Sequence, residues 1–322
     1  MTNFSEIYNG DLPWLEKGTI FVTLAGSRAY GTSRPDSDTD YRGIAIAPKS
    51  HLYSYQHNFE QAVQSNPTDL VIYSLQKLMK LAEGSNPNII ELLYTDRESW
   101  VLSTPVFEKL VENRHLFLST KARHTFAGYA ISQLRRIKSH RNWLLNPPSH
   151  EPTRTEFGLS DGHKVSKSVM GAFDNIEERH GAKFDAKIME LLTAEKRYAA
   201  ALANYGQYVG WKKNRNASRH ALEAVNGYDT KHGMHLVRLM RMCKEILSAG
   251  EVIVNRPDAK ELLEIRNGAW SYDELIDWAE SIDKEIEELY VSGKSCLPRK
   301  ADSKALDALC VELIEMHYGN SL

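Results

Sequence analysis

The apolar run Thr19 to Ala25 (TIFVTLA) stops at Gly26-Ser27. After ten intervening residues, Asp38-Thr39-Asp40 leads into a second apolar run, Tyr41 to Ala47. A run rich in β-branched residues that ends at glycine reads as a strand. Residues i and i+2 of a strand share a face, so Asp38 and Asp40 can converge on one point. Gly26 has no Cβ to keep a phosphate away from the backbone N–H groups beside it. An Asp-x-Asp alone is common and carries little. Joined to a strand-terminal Gly-Ser at this spacing, it suits divalent cations, which prefer hard oxygen ligands and promote phosphoryl chemistry. Asp69 opens a third short run, Leu70 to Tyr73, and is the expected third carboxylate, with Glu60 and Glu91 as competitors. Asp36, directly after Pro35, reads as a turn residue.

Strand-like text is confined to the first third of the chain. From about Ser74 apolar residues recur at helical spacing, as in Leu75, Leu78, Met79 and Ala82. Asn86-Pro87 and Thr104-Pro105 read as helix starts, with proline in a tolerated first-turn position. Longer helices are expected at roughly 119–145, 163–180, 184–210, 230–249, 271–291 and 302–317. The proline-rich stretch Asn146 to Ser160 reads as a linker or a substrate-side loop. The expected architecture is α+β: a small sheet-containing domain over residues 1–117, then a helical domain over 118–322 that binds nucleotide and acceptor.

Forty Lys plus Arg against forty-two Asp plus Glu give a net charge of −2, which excludes a polybasic chain. No apolar run reaches the ~20 residues of a membrane helix. The N-terminus shows no basic start followed by an apolar stretch. Cys243, Cys296 and Cys310 are three and widely spaced, which fits a reducing compartment. A cytoplasmic protein without a membrane partner is expected.

The segments Gly26 to Gly31 (GSRAYG), Pro35 to Asp40 (PDSDTD) and Arg42-Gly43 resemble the nucleotidyltransferases of the DNA polymerase β superfamily. The resemblance is greatest to a bacterial and phage branch named for an RNA repair pathway. Asp69 to Leu75 (DLVIYSL), Ser85 to Leu93 (SNPNIIELL) and Lys231 to Leu239 (KHGMHLVRL) are similar to it as well. The resemblance implies a polymerase β-like domain in which Asp38, Asp40 and Asp69 form the catalytic and metal-binding set. Two Mg²⁺ ions, or Mn²⁺ in their place, would sit on these acids, and Asp69 would help to activate the attacking hydroxyl. Gly26, Ser27 and Arg28 would contact the triphosphate. Lys231, His235 and Arg238, on one stripe of a helix, would hold it from the other side. The implied reaction moves a nucleoside monophosphate from an NTP to a hydroxyl and releases pyrophosphate.

The acceptor is read from charge. Residues 113–150 hold seven Lys or Arg and no Asp or Glu, with Phe126, Tyr129 and Trp143 interleaved. Within a chain of net charge −2 this segregation suits a phosphate backbone, and Arg135, Arg136 and Lys138 are its expected contacts. RNA, as a tRNA or a broken RNA end, is the expected partner. The alternatives are transfer onto a protein side chain, and a nucleotide-binding module without turnover.

Overall fold

The computed structural model describes residues 4–66, 68–162, 165–166, 168–172, 185–214 and 223–319. Its strands are β1 (Thr19–Ala25), β2 (Asp40–Ala45), β3 (Gln61–Gln64), β4 (Asp69–Ser74) and β5 (Trp100–Ser103). They form one sheet in the order β3-β4-β2-β1-β5. β2 and β4 are parallel; the other neighbours are antiparallel. Ile20, Phe21 and Val22 of β1 are fully buried, which is why a central strand covered on both faces reads as a continuous apolar run. β3 and β5, at the edges, escape that reading. β3 is Gln-Ala-Val-Gln with only Ala62 buried, and β5 is half-exposed. Both edges are only four residues long, and β3 is polar as well, which resists further strand pairing.

Helices cover the sheet. α1 (Leu75–Glu83) follows β4 directly, with the Ser74 side chain accepting from the Lys77 N–H, and buries Leu75, Leu78, Met79 and Ala82. α2 (Pro87–Leu93) starts at the Asn86 cap with Pro87 in its first turn. α3 (Pro105–Glu112) lays Phe107 flat on Phe21 of β1, with ring centroids 3.5 Å apart. The helix expected from 119 begins later: Arg123–Ala127 is a π-helical turn that runs into α4 (Gly128–Leu145). α5 (Ala186–Lys213), α6 (Thr230–Ala249), α7 (Ala259–Arg266), α8 (Tyr272–Val291) and α9 (Ser303–Gly319) follow. α8 begins with a reciprocal cap between Ser271 and Glu274. The helix expected at 163–180 lies largely outside the described residues. No helix among the described residues is long and apolar enough to cross a membrane.

Packing divides the chain into two compact units, residues 1–136 with 230–322, and residues 137–229. The C-terminal helices thus belong with the sheet. In the first unit α6 buries more than half of its residues and packs against α7, α8 and the π-helical turn. In the second, Asn146 to Ser160 is no free linker. Arg154, 6% exposed, donates to Glu195 Oε2 at 3.0 Å and to the Ser160 carbonyl at 2.8 Å. His140, Trp143, Tyr208 and Trp211 form an aromatic cluster between α4 and α5 in the same unit.

Candidate active site

The register of three adjacent strands builds the site. Ala25, the last residue of β1, pairs with Asp40, the first of β2, and Asp40 pairs with Asp69, the first of β4. Residues opposite one another in a ladder share a face, so Asp40 and Asp69 project side by side from one end of the sheet. Gly26 comes next after Ala25, at φ +61°, and a Cβ there would collide with Asp40 Oδ2. Glycine is therefore required twice over, by the left-handed backbone and by the approach of the carboxylate.

Gly26 to Ala29 then forms a single helical turn, closed by Tyr30 N–H to the Gly26 carbonyl at 3.1 Å. The Ser27 carbonyl accepts from Thr32 N–H at 2.9 Å. Arg28 is exposed, and its Nη2 donates to the Ser37 carbonyl at 3.1 Å. That bond ties the Gly-Ser turn to the segment carrying Asp38. Asp38 and Asp69 are exposed, and Asp40 is half-buried.

Burial raises the carboxyl pKa of Asp40 above its ordinary value. Arg42 opposes this, the negative fields of Asp69 and Asp38 add to it, and Lys231 opposes it weakly. A carboxylate pushed up by burial, with two further acids adding to the shift, is stabilised by a cation, and its donors are the hard oxygens that Mg²⁺ or Mn²⁺ takes. The residues fit a divalent metal in that chemical sense. Among the described residues, no three acidic, imidazole or thiol groups are already gathered into a metal cage. The set is open, with Asp40 fixed and Asp38 and Asp69 at the solvent edge.

The same strain predicts a stability effect. Because the folded state raises the Asp40 pKa, ionised Asp40 costs stability at neutral pH, and the cost fades as pH falls to the ordinary carboxylate range near about 4. Without metal, Asp40→Asn should melt higher than the parent at pH 7, by a margin that closes on acidification. Thermal melts across pH check this, and a lower melting temperature at pH 7 would contradict it.

A cleft of about 180 Å³ runs from Gly26 and Asp40 past Arg42 and Tyr73 to Glu91 and Thr95. Arg42 belongs to the quoted motif, but the sequence reading gives it no role. It stands two positions after Asp40 on β2, hence on the same face, and that spacing was the available signal. Its Nη1 donates to the Tyr41 carbonyl at 2.8 Å.

Of the expected helical stripe, Lys231 lies near enough to Asp40 to act on its charge. Arg238 and His235 are placed differently. Arg238 is 5% exposed and pairs through Nη1 with Glu91 Oε1, while its guanidinium sits 3.8 Å over the Tyr30 ring. Tyr30 donates its hydroxyl to Glu91 Oε2. Glu91 is thereby occupied as a partner and is no spare metal ligand. Glu60, the other competitor, pairs with Lys77 at 2.9 Å. His235 is held neutral: burial first, then the positive fields of Arg238 and Lys231, lower its pKa to about 3. The expectation of a cationic His235 and a phosphate-facing Arg238 is therefore corrected. Burial strips the first of its proton, and an ion pair takes up the second.

The basic stretch divides likewise. Arg114 stacks 4.2 Å over Tyr94, Arg123 pairs with Asp283 and Glu287, and Arg141 donates to the Gly227 carbonyl. Arg135, Arg136 and Lys138 are exposed on α4.

Residues 7–145 match the family described as the RNA repair pathway DNA polymerase beta family. Over 333 aligned residues the chain is 22% identical to the "Uncharacterized 38.9 kDa protein in nrdC-mobD intergenic region" of Enterobacteria phage T4, a match covering 90% of this chain and 95% of that one. No solved structure matches. The matched segment holds the whole sheet and the Gly26–Asp40–Asp69 edge, and the mixed α+β architecture with flanking helices is consistent with a polymerase β-like domain. The match supports a nucleotidyltransferase kind of activity.

Proposed function

We propose that the chain moves a nucleoside monophosphate from an NTP to a hydroxyl on RNA, releasing pyrophosphate. The observation that carries this reading is the shared register of Ala25, Asp40 and Asp69, with the open backbone of Gly26 against Asp40. Asp38, Asp40 and Asp69 would hold divalent cations, Mg²⁺ or Mn²⁺. When bound, such ions lower the pKa of the attacking hydroxyl and neutralise charge on the leaving pyrophosphate.

The remaining work falls to the chain. The Gly26-Ser27 turn receives the triphosphate, which meets backbone N–H groups instead of a Cβ. Arg28 holds the Asp38 segment in place. Lys231 supplies positive charge that acts on Asp40. Asp69, next in register and open to solvent, takes the proton as the acceptor oxygen bonds to the α-phosphorus and the bond to pyrophosphate breaks. Arg135, Arg136 and Lys138 would contact the acceptor backbone.

The test is incubation with each α-labelled NTP, Mg²⁺, and total cellular RNA and protein, resolved on a gel. Label on RNA supports the reading. Label on a protein band moves the acceptor to a side chain, and absence of both label and pyrophosphate reduces the chain to a binding module. A second expected result concerns α4. Changing Arg135, Arg136 and Lys138 together to Glu should weaken RNA binding and reduce its salt slope by roughly 2, about 0.7 per lost contact on a single strand. Unchanged affinity at low salt would remove α4 from the acceptor path.

A further inference from the structure

A second cleft, of about 520 Å³, shares no lining residue with the one beside Asp40. Five cationic or imidazole side chains reach it from three parts of the first unit. Lys80 comes from the last turn of α1, Lys121 and His124 from the approach to α4, and Arg299 and Lys300 from the segment before α9. All five are exposed. Glu83 is the acid in the described lining, and its carboxylate accepts from Ser303 Oγ.

The cleft is braced. Thr120 N–H donates to the Pro298 carbonyl at 2.9 Å, which pins the Arg299 segment beside Lys121. Tyr290 lies edge-on to His124 with centroids 5.0 Å apart, and the Arg299 guanidinium sits 5.0 Å from the same ring.

Neighbouring cations, by contrast, are in ion pairs. Lys77, one turn before Lys80, pairs with Glu60, and Arg123, beside His124, pairs with Asp283 and Glu287. No acid among the described residues forms an ion pair with Lys80, Lys121, His124, Arg299 or Lys300. In a chain with more acids than bases, a cluster of exposed cations that form no ion pair among the described residues is a surface that suits a polyanion. A lone phosphate would engage one or two of the five. A run of linked phosphates engages them in succession.

We propose that this cleft binds the phosphodiester backbone of a nucleic-acid strand, at a site separate from the site of transfer. The inference extends the RNA-acceptor reading but is tested by binding alone. The variant is Lys121→Ala with Arg299→Ala and Lys300→Ala, all at exposed positions, with its melting temperature checked against the parent. Binding of a fluorescent single-stranded RNA of about 20 nucleotides is measured from about 50 to about 200 mM KCl. The expected result is affinity about 10-fold or more weaker, and a slope of log K against log salt less steep by roughly 2.

Parent-like affinity and slope would overturn the proposal. So would a cleft that takes compact phosphates, seen as loss of inorganic tripolyphosphate binding in the variant with RNA binding retained. Asp40→Asn separates the two readings, since it should keep RNA affinity while losing transfer. A parent protein that binds RNA through this cleft but labels no acceptor ends the proposed reaction and leaves this inference standing. Label transfer to RNA with an unaltered triple variant ends this inference alone.

Discussion

Asp40→Ala should lower nucleotidyl transfer on the order of 10³-fold or more, about 4 kcal/mol of transition-state stabilisation, while the protein stays folded. Asp40 is the one acid of the three that is half-buried, placed by ladder pairing on both sides, and in contact range of the Gly26 backbone. Its removal takes away the fixed member of the set, and Asp38 and Asp69 at the solvent edge cannot occupy its position. Glu60→Ala is the matched control. Glu60 is an acid in the same part of the chain, but it is paired with Lys77, and its loss should leave the rate unchanged. Steady-state pyrophosphate release for the parent and both variants checks this. Comparable rates in the parent and Asp40→Ala would remove the carboxylate from catalysis.

Arg238→Ala should destabilise the fold by about 3–5 kcal/mol, the cost of leaving a buried carboxylate without its partner. Glu91 is 4% exposed and Arg238 is 5% exposed, so the substitution strands a buried charge. The same substitution deprives the Tyr30 ring of its stacked cation. Tyr30 and Glu91 both line the Asp40 cleft, so the damage reaches NTP binding through wall geometry. Replacing both partners, Glu91→Gln with Arg238→Met, should recover much of the stability, since no charge is then stranded. Chemical denaturation of the single and double variants checks this. An Arg238→Ala protein as stable as the parent, with weakened NTP affinity, would restore Arg238 as a direct phosphate contact.

The Arg238 result shows where sequence reading stopped. Periodicity placed Lys231, His235 and Arg238 on one helical face, and α6 is a helix over that span. It could not say what that face meets, because the partner, Glu91, is 147 positions away. The central strands were legible for the opposite reason. β1 and β4 appear in the text as apolar runs with turn residues at their ends; Gly26 directly follows β1, and Asp69 is the first residue of β4. β3 gave no such signal, because an edge strand buries too little to require apolar residues, and β5, Trp-Val-Leu-Ser, is too short to stand out as a strand. Burial also escapes motif reading. Neutral His235 and the cationic cleft around Tyr290 both depend on which distant segments fold together.

The central claim is that the Gly26–Asp40–Asp69 edge holds a metal-bound nucleoside triphosphate. It is tested most directly by calorimetric titration of an NTP in Ca²⁺, which blocks turnover, into the parent and into Asp40→Asn with Asp69→Asn. The account predicts saturable binding by the parent that disappears when Ca²⁺ is withheld. It predicts binding at least about 10-fold weaker in the double variant, whose melting temperature in the absence of metal is no lower than the parent's. Parent-like, metal-dependent affinity in the double variant would contradict it.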